Sequence, residues 1–460
     1  MLEININQIA NFPNEEMVRF LKLVNVYQTH AYKNDEKDKY YEGKISLNDV
    51  NLGIALPDGL RKLEIGCSWG AKTVDVLAGR SMFDGFVGMN GETIDMLDAI
   101  AENNNLVDEY IKACRDELKY GCVFATLTDS KEGVKIRFHS PQTAAAVWDG
   151  VKGRIAYGFA IIDTKSDNKT DFWVPSVINY YTEDAIWVLS NIKGFWEAEE
   201  HSHKMGRPLM EPLIWNATSN KPFGRSRIKE PIRRLIQGYV RTIANASIGL
   251  EFATSPQKYL LGVTDEQFDA VISDKFRQYV GSILTATTNP ETGEKPSFGQ
   301  LQQGTITPHV EMLRILATQF SAATGLTVSD TGVVNDANPT SSDAILAQSQ
   351  TLVATAQQLN IGNGVVLKTI ALMALAMTKH TDLNGLSEDD KNIVAHFKNP
   401  AMPSVAVTAD AAIKIASARQ GFASTDVFLE MLGFDKADIR RIKSQEGRSR
   451  GVQLIQEIEG

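Results

Sequence analysis

Val365 to Met377 is apolar on nearly every side, with Lys368 its only charge. A helix of that kind has to be buried on several sides. Two coverings are open, the core of its own chain or a neighbouring subunit. The run is shorter than the roughly 18–20 residues a bilayer span needs, so no membrane is expected. It is the second half of a longer helical stretch. That stretch starts on a Ser341/Ser342 cap with Asp343 in its first turn and ends near His380. Gly362-Asn363-Gly364 is its expected interruption and kink.

Two more helices precede it. The first follows Gly224-Arg225-Ser226 and carries Ile228, Ile232, Leu235, Ile236, Tyr239, Ile243 and Leu250 at helical spacing. The second opens at Thr307-Pro308 and closes at Gly325. Between them, residues 255–306 hold KYLLGV, a short acidic helical piece (TDEQFDAVISDKF) and then the polar, Gly/Pro-rich VGSILTATTNPETGEKPSFGQLQQG, which reads as a small β-containing insert with long loops. Leu326 to Thr340 is a loop in which Asn338-Pro339 marks a turn.

Toward the N-terminus, helices are expected over Asn14–Val26, from Trp69, and across Thr93–Lys119. The last of these should bury Ile94, Leu97, Ile100, Leu106, Tyr110, Ile111 and Leu118. HAYKNDEKDKYYEGK reads as a surface loop. From Gly121 to Trp215 the period changes to two. Short β-branched and aromatic runs between Asp, Asn, Gly and Lys predict an antiparallel meander or sandwich. After residue 381 come three short helices. The whole is α+β and multi-domain, as 460 residues require.

A hydrophobic content of 43% and a charged content of 22% are those of an ordinary soluble protein. The net charge of -9 argues against a protein that grips nucleic acid by general electrostatics, although not against one that lets it slide past. Cys67, Cys114 and Cys122 form neither a disulfide framework nor a metal pattern, which suits a reducing interior. Gly66 to Thr73 is similar to a phosphate-binding loop, but Ala71 stands where Gly must precede the Lys. A helix start with an exposed Lys72 is the simpler reading. Glu199 to His203 offers two histidines without a clear third ligand, and reads as a solvated turn. Arg227, Arg234 and Arg241 recur every seven residues on the first of the paired helices. They form either a basic stripe beside nucleic acid or another acidic surface, or a salt-bridging face. No constellation carries catalytic chemistry.

The order of segments resembles the portal, or connector, proteins of tailed bacteriophages of the long non-contractile-tail (siphophage) type. The carrying residues are Trp69, Val74-Asp75, Arg80 and Gly85-Phe86; Pro212-Leu213-Ile214-Trp215-Asn216 leading to Gly224-Arg225-Ser226; and Glu251 to Lys258. Further pieces are Ala317 to Phe320 with Thr324-Gly325-Leu326, Asn338 to Ile345, Ala409 to Lys414, and Leu429 to Gly433. The resemblance implies a phage portal fold. Residues 1–224 would be an α/β wing, 225–254 and 307–325 paired stem helices, and 255–306 a small clip. Residues 326–340 would be a tunnel loop, 341–380 a long kinked wing helix, and 381–460 a helical crown.

It also implies a structural protein rather than an enzyme, with no cofactor and no metal. Its subunits would form a ring, typically a dodecamer, at one capsid vertex of the virion, assembled in the host cytoplasm. Double-stranded DNA would pass through the channel in packaging and ejection. Terminase, a head-completion or adaptor protein, and a major capsid or scaffold protein would be partners. In that reading Asp330, Val333, Val334 and Asp336 form a channel collar, and Asn289, Pro290, Glu291 and Glu294 a partner-binding clip loop. The alternatives are another virion component, or a nucleotide-binding enzyme built on Gly66–Thr73.

Overall fold

The computed structural model describes residues 4, 6, 8–46, 64–166, 173–192, 194–254, 258–261, 293, 295, 297–300, 305–333, 342–401, 405–434 and 438–448. It divides into two compact units, Met1–Lys398 and Asn399–Gly460.

The first unit begins with strand β1 (Ile9–Ala10) and the long helix α1 (Asn14–Glu42). A small sheet of β2 (Lys44–Ser46) and β3 (Glu64–Gly66) leads to helix α2 (Trp69–Ala78), strand β4 (Phe83–Gly88), and helices α3 (Gly91–Asn103) and α4 (Leu106–Tyr120). Next come β5 (Cys122–Ser130), β6 (Gly133–His139), β7 (Ala144–Asp149), β8 (Arg154–Ser166), β9 (Trp173–Tyr181), β10 (Ala185–Ile192), β11 (Phe195–Ser202) and β12 (Met210–Ile214). Helices α5 (Glu230–Thr254) and α6 (Thr307–Thr324) flank β13 (Lys258–Leu261) and β14 (Ser297–Gln300). Helix α7 (Ser342–Thr378), the single turn α8 (Glu388–Lys391) and β15 (Ile393–Phe397) complete the unit.

Strands β7 to β11 form an antiparallel meander, with β1 added in parallel at the β11 edge. One face of that sheet is covered by α1, whose Phe20, Leu23, Val24 and Tyr27 share a core with Phe159, Ile178, Tyr180 and Leu189. A second sheet, β12-β5-β6, packs with α2, α4, α5, α6 and α7 in the larger core. Leu97, Leu106, Tyr110 and Leu118 are buried there as their spacing predicts, with Ile94, Ile100 and Ile111 half-buried.

Helix α1 runs sixteen residues beyond its expected end at Val26, through the stretch read as a loop. Several of its polar residues, Asn34 to Asp38, are buried or half-buried. Tyr120 Oη donates to Asp38 at 2.7 Å, and Lys37 Nζ donates to the Tyr120 carbonyl at 2.9 Å. Ala31, Asn34 and Tyr40 are buried. An apolar periodicity cannot register a helix held this way. The Glu199–His203 stretch is likewise not a turn for most of its length. Glu199 and Glu200 lie in β11 opposite Val188 and Trp187, and backbone pairing to β10 holds a strand whose outward residues are charged.

Helix α7 is continuous through Gly362-Asn363-Gly364, where an interruption was expected. Asn363 is 1% exposed and donates from Nδ2 to both Tyr110 and Glu117, which fixes that turn of helix in the core. Downstream, Leu367, Ile370, Met373, Ala374 and Leu375 are fully buried inside the first unit, although Val365 is 66% exposed. By length and hydropathy alone α7 would suit a membrane span. The core of its own chain covers most of the apolar run, so that run is not in itself a sign of a neighbouring subunit.

Residues 393–397 pair with β4, Ile393 opposite Gly88 and Val394 opposite Val87, so this strand belongs to the first unit. The second unit contains helix α9 (Val405–Ala418), a 3-10 turn at Phe422–Ser424, helix α10 (Asp426–Met431) and a further helical run over residues 438–448. Phe422 meets Phe428 edge-on at 5.9 Å, and Lys443 pairs with Asp426. The three cysteines are free and buried.

Candidate functional site

The paired helices and the turn after them converge on one buried joint. Helix α5 starts at Glu230, three residues later than the start expected after Ser226. Pro231 explains the delay, because a ring nitrogen without a proton is tolerated only in a helix's first turn. Residues 225–229 make non-helical bonds instead. Arg227 N donates to the Leu118 carbonyl at 2.8 Å, and Ser226 Oγ donates to the Lys119 carbonyl at 2.5 Å. The strap crosses the end of α4 at Gly121, which has φ 108°. A Cβ there would stand 2.9 Å from the Arg225 carbonyl carbon, so both the dihedral and the contact require glycine.

Arg227 therefore leaves the seven-residue stripe. It is 8% exposed and precedes the helix. Its Nε donates to the Thr73 carbonyl of α2 and its guanidinium NH2 to the Thr324 carbonyl at the end of α6, each at 2.5 Å. The second bond satisfies a terminal carbonyl where the helix dipole favours a cation. Burial lowers the Arg227 pKa to about 10, which still leaves it charged at neutral pH. Arg234 stays on the exposed face and pairs with Glu230 at 2.8 Å. Arg241 is exposed as well. The three arginines thus have two different jobs, and spacing alone could not separate them; Pro231 was the available signal.

Trp69 is the other half of the joint. It is 2% exposed, stacks on Phe320 of α6 at 4.6 Å, and lies 4.8 Å from Tyr239 of α5. Its Nε1 donates to the Thr331 carbonyl at 3.1 Å, in the turn that follows α6. One indole thereby ties α2, both paired helices and the start of the loop. On α5, Ile232, Ile236, Val240 and Ala244 form the buried stripe. Away from the joint, Leu250 on α5 and Val310, Met312 and Ile315 on α6 are 41–52% exposed.

The turn itself is locked from within. Gly325 ends α6 in the left-handed region, at φ 73°. Thr327 and Asp330 then form a reciprocal cap around the 3-10 turn Val328–Thr331. Asp330 Oδ2 accepts from Thr327 N at 2.9 Å and from Thr327 Oγ1 at 2.8 Å. Its carboxylate is engaged locally rather than held out as a free charge. Val328 and Val333 are half-buried and line a groove with Arg314, Ile315, Thr318 and Gln319 of α6. Val334 and Asp336 lie outside the described residues, as do Asn289, Pro290, Glu291 and Glu294 of the insert. The flanks of that insert are joined by β13 and β14, with Lys258 opposite Gln300 and Leu261 opposite Ser297.

The stretch similar to a phosphate loop has a packing explanation. A Cβ on Gly70 would come 1.9 Å from the Tyr40 carbonyl oxygen, so this glycine admits the backbone of α1. Among the described residues its preceding strand, β3, pairs antiparallel with β2 alone, and Lys72 is exposed. That is not the buried parallel sheet on which such loops sit. Among the described residues, no group of three or more His, Cys, Asp or Glu could hold a metal ion.

Comparison with known proteins gives the family. The family described as "Phage portal protein, SPP1 Gp6-like" matches residues 22–451. The portal protein of Mycobacterium phage D29 is 21% identical over 450 residues, covering 94% of this chain and 90% of that protein. Among solved structures, a chain in the virion of a native gene transfer agent (GTA) particle is similar over 80% of this chain and 89% of its own, with 12% identity and a TM-score of 0.43. A chain in the neck of that particle, computed with C12 symmetry, is 14% identical over 80% of this chain and 89% of its own, with a TM-score of 0.42. With the family matched over nearly its whole length, this chain belongs to the phage portal proteins of the SPP1 Gp6-like family.

Proposed function

We propose that this chain is the subunit of a ring-shaped portal at one vertex of a phage capsid, the conduit for double-stranded DNA in packaging and ejection. The observation that carries the reading is the family match over residues 22–451. The ring is expected to hold twelve copies, with α5 and α6 as the stem and the turn after α6 leading to the channel. Exposed Val310, Met312, Ile315 and Leu250 on the far parts of those helices support a neighbouring copy alongside. The charge of -9 suits a conduit, since phosphate contacts would bind DNA tightly and oppose its movement. The insert over residues 255–306 is the docking surface for the packaging terminase and, later, a head-completion protein. The role is structural, and the chain works without a cofactor.

A phage lacking this gene should accumulate heads free of DNA, and the gene supplied in trans should restore filled heads. Filled heads without the gene would overturn the reading. Deleting residues 288–295 should leave rings intact and abolish packaging; normal packaging by that deletion would remove the docking role of the insert.

A further inference from the structure

A closed polar network crosses the core at the middle of α7. Asn363 Nδ2 donates to Tyr110 Oη at 2.9 Å and to Glu117 Oε2 at 2.7 Å. Tyr110 Oη lies 2.7 Å from Ser81 Oγ, which donates to Asn360 Oδ1 at 2.6 Å. Ser81 has one proton and gives it to Asn360, so Tyr110 must donate to Ser81 and accept from Asn363. The chain of bonds leaves α7 at Asn363 and returns to it at Asn360.

Two acceptors in this network receive nothing, Glu117 Oε1 and Asn363 Oδ1. They belong to side chains already joined by a hydrogen bond, and Glu117 has none of its surface exposed. As a carboxylate, Glu117 would be a buried charge with no counter-ion, a strongly disfavoured arrangement. The titratable groups near enough to feel its charge include Tyr110 and Cys114 of its own helix and Cys122 of β5, none of them a cation, and no cation enters the causes of its own shift. Charged groups on the neighbouring elements are engaged elsewhere. Lys37 of α1 bonds Asn34 and the Tyr120 carbonyl, and Asp38 of α1 pairs with Lys119. Asp75 of α2 accepts from Tyr41, Asp84 of β4 lies 3.8 Å from Lys398, and Glu211 of β12 pairs with Arg207.

We propose that Glu117 is carried as the neutral acid, its proton on Oε1 donated to Asn363 Oδ1, which closes a two-bond acid–amide ring latching α4 to the middle of α7. The single added proton satisfies both orphaned atoms. Burial pushes the Glu117 carboxyl from 4.5 up to about 8, with the Asn363 hydrogen bond opposing only part of that rise. The folded chain therefore holds a proton that the unfolded chain releases between those values. Stability is greatest below the unfolded value, falls as pH rises through the window, and levels off above about 8. In the alkaline range the acid-to-amide bond is lost and the latch loosens.

The test is the pH dependence of unfolding for the full-length chain and for Glu117→Gln, with infrared spectra of both. A glutamine amide can make both bonds of the acid without titrating. The wild-type unfolding midpoint should fall between about pH 5 and 8, and in Glu117→Gln the fall should be smaller and end nearer pH 6, where buried Asp116 finishes titrating. A carboxylic-acid carbonyl band should be present in the wild type near neutral pH and missing from Glu117→Gln. Parallel pH curves for the two chains, identical spectra, or a Glu117→Gln chain that fails to fold would each overturn the latch.

Discussion

Arg227 shows what one buried side chain does at the joint. One of its two bonds runs to the Thr324 carbonyl at the open end of α6, where the helix offers no donor of its own, and the other to the Thr73 carbonyl within α2. Removing it strips the Thr324 carbonyl of this charged donor and breaks the tie between α2 and α6. Arg227→Ala should therefore lower stability by about 2–4 kcal/mol. Arg234→Ala, which breaks an exposed pair with Glu230 and an exposed bond to Gln237, should change it by about 0.5 kcal/mol or less. Urea unfolding of the two variants measures the contrast, and equal effects would remove the joint role given to Arg227. Trp69 was visible in the sequence as part of the portal-like pattern, but its partners were not. They lie near residues 239, 320 and 331, and no local rule connects positions so far apart.

Among the elements, helix packing depends on where a glycine stands. A Cβ on Gly70 would meet the rigid Tyr40 carbonyl at 1.9 Å, whereas one on Gly238 would meet the movable Leu316 Cδ2 at 3.1 Å. Gly70→Ala should cost about 3 kcal/mol or more by forcing α1 and α2 apart. Gly238→Ala should stay within about 1 kcal/mol of wild type, because the gain in helix propensity offsets the crowding. Thermal unfolding followed by circular dichroism distinguishes them. The elements whose apolar residues followed a period, the β5–β10 strands and helices α3, α4 and α6, were legible in the sequence. The second half of α1 and strand β11 were not. Lys37, Asp38, Glu199 and Glu200 are polar residues whose structure is set by distant partners, by hydrogen bonds in one case and by pairing to β10 in the other.

At the scale of the whole molecule, the apolar half of α7 had two open coverings, and the first unit supplies most of one by itself. The case for assembly then rests on the family and on the exposed apolar side chains of α5 and α6. The collar residues Val334 and Asp336 and the clip-loop residues Asn289, Pro290, Glu291 and Glu294 lie outside the described residues, so their roles are proposals drawn from their place in the chain. Heterologous contacts that close produce a ring, while contacts that do not close produce filaments. Single-particle electron microscopy of the purified full-length chain decides between these most directly. The account predicts closed rings with an open axial channel, twelve subunits in the phage-borne form, and α5 and α6 running beside that channel. A monodisperse monomer at both low and high salt, or a ring with α5 and α6 on its outer rim, would contradict it.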